Sequence, residues 1–175
     1  MISPGYRRLF IALPVPPETG KLLTGCCVSH PHVHWIPAPN RHLTLVFLGH
    51  RTEEQTRRAA QVVEAVDAAP FELRLTSLQR FPDDRGRNVA ALPSNCPPLK
   101  SLQERLAAAL TAQGFTLKQR DFRPHITLGK IHRGQWPAVE LEPPIIMAVN
   151  AVTLFQTEFV DNGVTYHSLA NQQLD

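Results

Sequence analysis

Two tetrapeptides of one pattern stand about half of the 175-residue chain apart: residues 42–45 read His-Leu-Thr-Leu, and residues 125–128 read His-Ile-Thr-Leu. Because side chains alternate between the faces of an extended strand, each copy places an imidazole and a hydroxyl on one face and two aliphatic side chains on the other. If the two halves of the chain pack face to face, the cleft between them would hold two histidines and two threonines. These candidate site residues are His42, Thr44, His125 and Thr127.

Two imidazoles and two hydroxyls are enough for acid–base chemistry on a phosphate without a metal ion. Cleavage of a phosphodiester needs a base for the attacking oxygen and, on the opposite side, an acid for the leaving oxygen. Imidazole has an unperturbed pKa of about 6.5, so it can take either role near neutral pH. A threonine hydroxyl can donate a hydrogen bond to a non-bridging phosphate oxygen. A single His-Xaa-Thr strand is usually a packing or surface feature, and the second matched copy is what favours catalysis.

Strands and helices recur around both copies of the pattern. Thr52 and Gln55 form a capping-box signature that predicts a helix over 53–69, and leucines at helical spacing predict a second helix over 99–114. Apolar or alternating runs predict strands over 8–13, 42–48, 71–75, 89–92, 115–117, 125–131, 145–155 and 164–169. We therefore predict an α+β duplication with two antiparallel sheets rather than a doubly wound parallel sheet.

Composition gives weaker indications. The formal net charge of +3 and the pI near 9.0 favour an anionic partner such as RNA, although solubility alone explains them equally well. Cys26, Cys27 and Cys96 make an odd count, so we expect reduced thiols and a cytoplasmic location. No stretch approaches the roughly 20 apolar residues of a membrane span, so we expect no membrane partner.

The two patterns and their flanks resemble the two-histidine (2H) phosphoesterases, in particular the RNA 2′,3′-cyclic phosphodiesterase branch once described as 2′-5′ RNA ligases. The resemblance covers nearly the whole chain and rests on residues 8–13, 35–49, 122–129, 154–155 and Tyr166, in that order. It implies a single domain over residues 1–175 made of two lobes related by a pseudo-twofold axis. Each lobe would be an antiparallel sheet with helices on its outer face, and a central cleft would lie between the lobes.

The resemblance also implies roles for individual residues. His42 would be the general acid that protonates the departing ribose O3′, and His125 the general base that activates water, so that a 2′-phosphate remains. Thr44 and Thr127 would hold phosphate oxygens, and Phe47 would stack on the terminal nucleobase. No metal or cofactor is implied. The expected partners are RNA ends with a 2′,3′-cyclic phosphate or small cyclic nucleotides, with possible reversal into 2′-5′ ligation, and the expected state is a monomer.

Two of the implied binding residues conflict with strict strand alternation. Counted from the motif histidines, alternation buries both Phe47 and Lys130, and only a bulge or a strand end would turn them outward. Lys130 also departs from the branch, which usually carries arginine there, and lysine supplies a point charge without the planar fork of a guanidinium. Arg123 and Arg80 are alternative cations for the phosphate.

Two other interpretations stay open at this stage. The chain could be a binding module for RNA ends or nucleotides in which Lys130 marks weakened catalysis. Alternatively, His30, His32 and His34 alternate in sequence and could share one face as metal ligands. Because no carboxylate or cysteine stands near them at ligand spacing, a polar surface stretch is the favoured interpretation of that cluster.

Overall fold

The computed structural model describes residues 5–175. In this range, three α-helices pack with nine strands. The strands are β1 (Arg7–Pro14), β2 (Val33–Trp35), β3 (His42–Arg51), β4 (Phe71–Phe81), β5 (Asn88–Pro93), β6 (Ile126–Ile131), β7 (Val139–Val149), β8 (Ala151–Val160) and β9 (Gly163–Gln173). The helices are α1 (Pro17–Cys26), α2 (Glu53–Glu64) and α3 (Pro97–Ala112).

All strand pairs in this range are antiparallel, and eight strands follow the order β7-β4-β5-β6-β3-β1-β8-β9, with β2 on β6. The α+β prediction with antiparallel sheets is therefore confirmed. The two expected sheets join edge to edge into one, where Leu43 of β3 pairs with Ile126 of β6.

The order of elements repeats on the two sides of this junction. In one half, β1, α1 and β3 form a strand, a helix and an antiparallel neighbour of the first strand, and in the other half β5, α3 and β6 do the same. The remaining strands extend each half outward, β8 and β9 beside β1, and β4 and β7 beside β5. The repeat brings the two His-Xaa-Thr segments to equivalent places at the centre of the sheet.

Helix α2 starts where the sequence predicts, but tertiary contacts decide where it ends, and α3 begins and ends two residues before its predicted bounds. At the start of α2, Thr52 Oγ1 accepts a hydrogen bond from the Gln55 N–H (3.2 Å), and Gln55 Oε1 accepts one from the Thr52 N–H (3.0 Å). The helix ends at Glu64, five residues before the predicted end. The next turn is tighter, with Val66 N–H bonded to Val63 O, and Arg105 of α3 donates to Asp67 O. No helix in residues 5–175 is long and apolar enough to cross a membrane.

Two strand predictions were wrong. Residues 115–117 form no strand, because Gly114 takes a left-handed conformation (φ 90°) and the Phe115 N–H returns to Leu110 O as the close of α3. The buried Phe115 side chain explains the apolar signal there. The predicted single strand over 145–155 is the end of β7 and the start of β8, which are separated at Asn150.

Candidate active site

A β-bulge in β3 brings Phe47 onto the face that carries His42 and Thr44. Against β1, Thr44 pairs with Ala12 and Val46 pairs with Ile11, so Leu45 is an extra residue in β3. Leu45 and Val46 are consequently both buried, and the side chain after them, Phe47, is 55% exposed instead of lying in the core. The bulge therefore resolves the conflict with strict alternation.

Strand β6 contains a bulge at the equivalent position. Thr127 pairs with Ala90 of β5 and Gly129 pairs with Val89, so Leu128 is the extra residue. Leu128 and Gly129 are both buried, and Lys130 is exposed. Lys130 and Phe47 each follow their motif histidine by five residues and so occupy corresponding places in the two halves.

Gly129 is required by the strand that lies against it. A Cβ atom at this position would lie 2.7 Å from a ring carbon of Trp35 and 3.1 Å from the His34 carbonyl oxygen, both in β2. These separations are too short for a side chain. The small β2 strand thus pairs with β6 directly after the second motif.

The pairing of β3 with β6 also sets which motif side chains meet. Because Leu43 lies opposite Ile126 in an antiparallel pair, the register places His42 on the side of Thr127 and Thr44 on the side of His125. The proximity has an electrostatic consequence, since the charge of His125 lowers the pKa of His42. All four predicted side chains therefore converge on the same face of the sheet at its centre.

Each imidazole is held by a hydrogen bond of the same kind, from Nδ1 to a backbone carbonyl two residues earlier. His42 Nδ1 lies 3.0 Å from the Asn40 carbonyl oxygen, and His125 Nδ1 lies 2.8 Å from the Arg123 carbonyl oxygen. Because a carbonyl only accepts, each Nδ1 carries a hydrogen, and the proton-exchanging nitrogen of each ring is Nε2. Neither Nε2 makes a hydrogen bond to any residue within 5–175.

His42 lies in an aromatic enclosure. Its ring centroid is 4.7 Å from that of Phe10 and 5.1 Å from that of Tyr166, and Phe155 lies behind at 6.3 Å. Burial lowers the pKa of His42, the bond to the Asn40 carbonyl raises it in part, and the charge of His125 lowers it further. Phe10 and Phe155 lie in two of the stretches on which the family resemblance rests, but no role at the site was expected for either from the sequence.

His125 has one aromatic neighbour instead. Its ring stacks on Phe81 with 3.7 Å between centroids and 19° between planes. Burial is the main cause that lowers the pKa of His125, the Arg123 carbonyl raises it in part, and the Arg123 guanidinium lowers it. Phe81, at the end of β4, is a third aromatic neighbour of the motif histidines for which no role was expected from the sequence.

The candidate cations differ in how they are held. Arg123 donates to Pro82 O (2.7 Å) and lies over the Phe81 ring, with Cζ 4.8 Å from its centroid. Arg80 donates to Gly86 O and Gly134 O. Both guanidiniums thus secure loops beside the site. Lys130 is exposed and forms no ion pair with any residue of the described chain, so it is the more available of the three for a phosphate.

The three alternating histidines at and before β2 do not form a three-ligand metal site. His30 Nδ1 accepts a hydrogen bond from the His32 N–H (3.1 Å), and His32 Nδ1 accepts one from Arg133 Nε (3.4 Å), while His34 is exposed on β2. Across residues 5–175, no three His, Cys, Asp or Glu side chains are grouped to hold a metal ion. The three cysteines are free thiols.

Comparison with known proteins gives relatives over most of the chain. A family model described as the 2′-5′ RNA ligase superfamily matches residues 29–158. An RNA 2′,3′-cyclic phosphodiesterase from Methanothermobacter thermautotrophicus is 32% identical, over 77% of this chain and 78% of its own length. A protein of the same name from Escherichia coli is 28% identical, over 93% of this chain and 94% of its own.

A solved structure shares the whole architecture. The crystal structure of Escherichia coli LigT in its apo form superimposes with a TM-score of 0.85 at 24% identity, over 97% of this chain and 98% of that one. At this identity the likeness concerns the fold alone. It agrees with the antiparallel α+β arrangement that surrounds the two motifs.

Proposed function

Since this chain belongs to the 2′-5′ RNA ligase superfamily, we propose that it hydrolyses terminal 2′,3′-cyclic phosphates of RNA to 2′-phosphates. Curated relatives over most of the chain carry the name RNA 2′,3′-cyclic phosphodiesterase. The observation that supports the chemistry best is the pair of imidazoles in equivalent places, each with Nδ1 bonded to a carbonyl and Nε2 available. Such a pair can supply an acid and a base at once.

In the proposed reaction, a water oxygen attacks phosphorus while the bond to the ribose O3′ breaks on the opposite side. Nε2 of His125 accepts the proton that water loses, and Nε2 of His42 gives its proton to O3′. One water is consumed, and the products are a 3′-hydroxyl and a 2′-phosphate. Because the protein supplies both proton carriers, we propose that the step needs no metal. A 5′-hydroxyl in place of water would give a 2′-5′ linkage by the same steps.

The neighbouring residues take supporting roles in this proposal. Thr44 and Thr127 donate hydrogen bonds to non-bridging oxygens, because the register places each beside the histidine of the other half. Lys130 contributes its charge to the phosphate, and Phe47 stacks on the terminal base through its exposed ring. The charge of Arg123 lowers the pKa of His125, and its guanidinium packs on Phe81, the ring that stacks on His125. We place this activity in the cytoplasm, on the view that all three thiols are reduced.

Product analysis tests the proposal. A short RNA with a 2′,3′-cyclic phosphate is incubated with the protein and EDTA, and the ends are identified by their sensitivity to phosphatase and by chromatography against authentic 2′- and 3′-phosphates. We expect the 2′-phosphate to form at the same rate with and without EDTA. A 3′-phosphate product would reverse the assigned leaving group. Tight binding without any product would favour the alternative, a binding module, for which the specific observation is lysine at position 130.

The pH dependence follows from the two lowered pKa values. Catalysis needs His42 protonated and His125 neutral, so kcat/KM should follow a bell-shaped curve. Because burial lowers both pKa values below the ordinary value of about 6.5, the curve for the free enzyme should peak on the acid side of that value and fall as pH rises. A bound phosphate anion favours imidazolium, so the kcat curve should peak at higher pH. Initial rates across the pH range check both statements, and a kcat/KM that rises steadily into alkaline pH would contradict them.

A further inference from the structure

A cation and two exposed aromatic rings extend the His42 side of the site outward along the sheet. The guanidinium carbon of Arg8 in β1 lies 5.6 Å from the ring centroid of Phe47 and 5.7 Å from that of Phe159 in β8. Phe47 is 55% exposed and Phe159 is 58% exposed. We name Arg8 and Phe159 the outer platform.

The strand register places the outer platform on the face that carries the motif histidines. Arg8 pairs with Thr157 of β8, and Thr157 pairs with Tyr166 of β9, whose ring lies nearly perpendicular to that of His42. Phe159 is two residues beyond Thr157 and therefore shares its face. The intervening Glu158 points the other way, where it pairs with His167.

The charge of Arg8 is unmatched on this face. Its neighbour Arg7, on the opposite face, binds Glu53 (3.1 Å) and Gln156 (3.1 Å). Arg8 forms no ion pair with a residue in 5–175. A guanidinium between two half-open rings suits an anionic, aromatic ligand, because proteins bind single-stranded nucleic acid by stacking bases on aromatic side chains beside a backbone-tracking cation.

We propose that the outer platform binds the nucleotide that precedes the terminal one, with Phe159 stacking on its base and Arg8 contacting the phosphodiester between the two nucleotides. This inference rests on the proposed function, in which Phe47 holds the terminal base. It names the substrate class as an RNA chain end of at least two nucleotides rather than a mononucleoside cyclic phosphate. The two subsites adjoin each other, since Arg8 contacts both Phe47 and Phe159, and this supports the proposal.

The test compares kcat/KM for a dinucleotide and a mononucleotide that both end in a 2′,3′-cyclic phosphate. The parent protein should prefer the dinucleotide, and Phe159→Ala should lower the ratio of the two values by about 5- to 150-fold, as expected for the loss of one base stack. Arg8→Gln should also lower the ratio and should weaken its dependence on salt. Val160→Ala is the matched control, because Val160 is the next residue, also exposed, on the opposite face. It should keep the parental ratio.

The following outcomes decide whether the outer platform binds the second nucleotide. Equal kcat/KM values for the two substrates in the parent protein, or an unchanged ratio in Phe159→Ala, would overturn the proposal. A recess of about 140 Å³ lies on the His125 side and is lined in part by Gln79, Phe81 and Trp136. If the ratio falls in Gln79→Ala but not in Phe159→Ala, the second nucleotide binds in this recess, and the proposal is overturned. If the parent hydrolyses neither substrate, the proposed function fails. The role of the outer platform is then tested by binding of a dinucleotide 2′-phosphate, and Phe159→Ala must weaken the affinity for it.

Discussion

Replacing His42 or His125 with alanine is expected to lower kcat/KM on a 2′,3′-cyclic phosphate RNA by about 10²- to 10⁴-fold in each case. Each ring supplies one of the two proton transfers, and each is held for that purpose by a carbonyl on Nδ1. The double variant should lose little more than the worse single variant, because an acid and a base that act in one step fail as a unit. Initial rates on a single RNA substrate measure all three losses.

A matched control separates this loss from damage to the fold. His132 is exposed just beyond β6, so His132→Ala should keep the parental rate, and thermal unfolding should show that all variants fold. Parental activity in either His42→Ala or His125→Ala would contradict the assignment of both roles.

A second substrate distinguishes the acid from the base. A phosphodiester with a nitrophenolate leaving group needs little protonation of the departing oxygen, so the defect of His42→Ala should shrink on it by about 10-fold or more. The defect of His125→Ala should persist, because water must still lose a proton. The reverse pattern would exchange the two roles.

Replacing Lys130 with alanine is expected to lower kcat/KM by about 10- to 100-fold, the usual size of a hydrogen bond to a charged group. The bulge at Leu128 turns this side chain to the position that corresponds to Phe47, away from the core. Lys130→Arg should raise the rate above that of the parent, because a guanidinium can form two parallel hydrogen bonds to one phosphate.

The same kinetic assay checks both Lys130 variants. Lys21→Ala removes an exposed lysine from α1, outside the site, and should leave the rate unchanged. If Lys130→Arg is slower than the parent protein, lysine does not act as a phosphate clamp. A parental rate in Lys130→Ala would favour Arg123 as the cation that binds the phosphate.

Local sequence was sufficient for several features of this protein. The capping box at Thr52 and Gln55 depends on residues three apart, and the structure contains both of its hydrogen bonds. The two His-Xaa-Thr patterns placed imidazole and hydroxyl on one face, because that relation needs only an extended backbone. The α+β class followed from the recurrence of such segments along the chain.

The strand register depended on tertiary structure. Whether Leu45 and Leu128 are bulged is decided by how β1 and β5 pair with them, and those partners are distant in sequence. Each bulge reverses the facing of the residues directly after it, which is why strict alternation assigned Phe47 and Lys130 to the core. The junction of Leu43 with Ile126 likewise joins residues that are distant in sequence.

By itself, then, the sequence determined which side chains could do the chemistry and that each motif histidine shares a strand face with its threonine, because both depend on neighbouring residues. Only the tertiary structure decided that Phe10, Tyr166 and Phe81 surround the histidines, and that Arg8 lies between two exposed rings. These contacts join strands that are remote along the chain. Their geometry is set by sheet register and twist, which no single segment encodes.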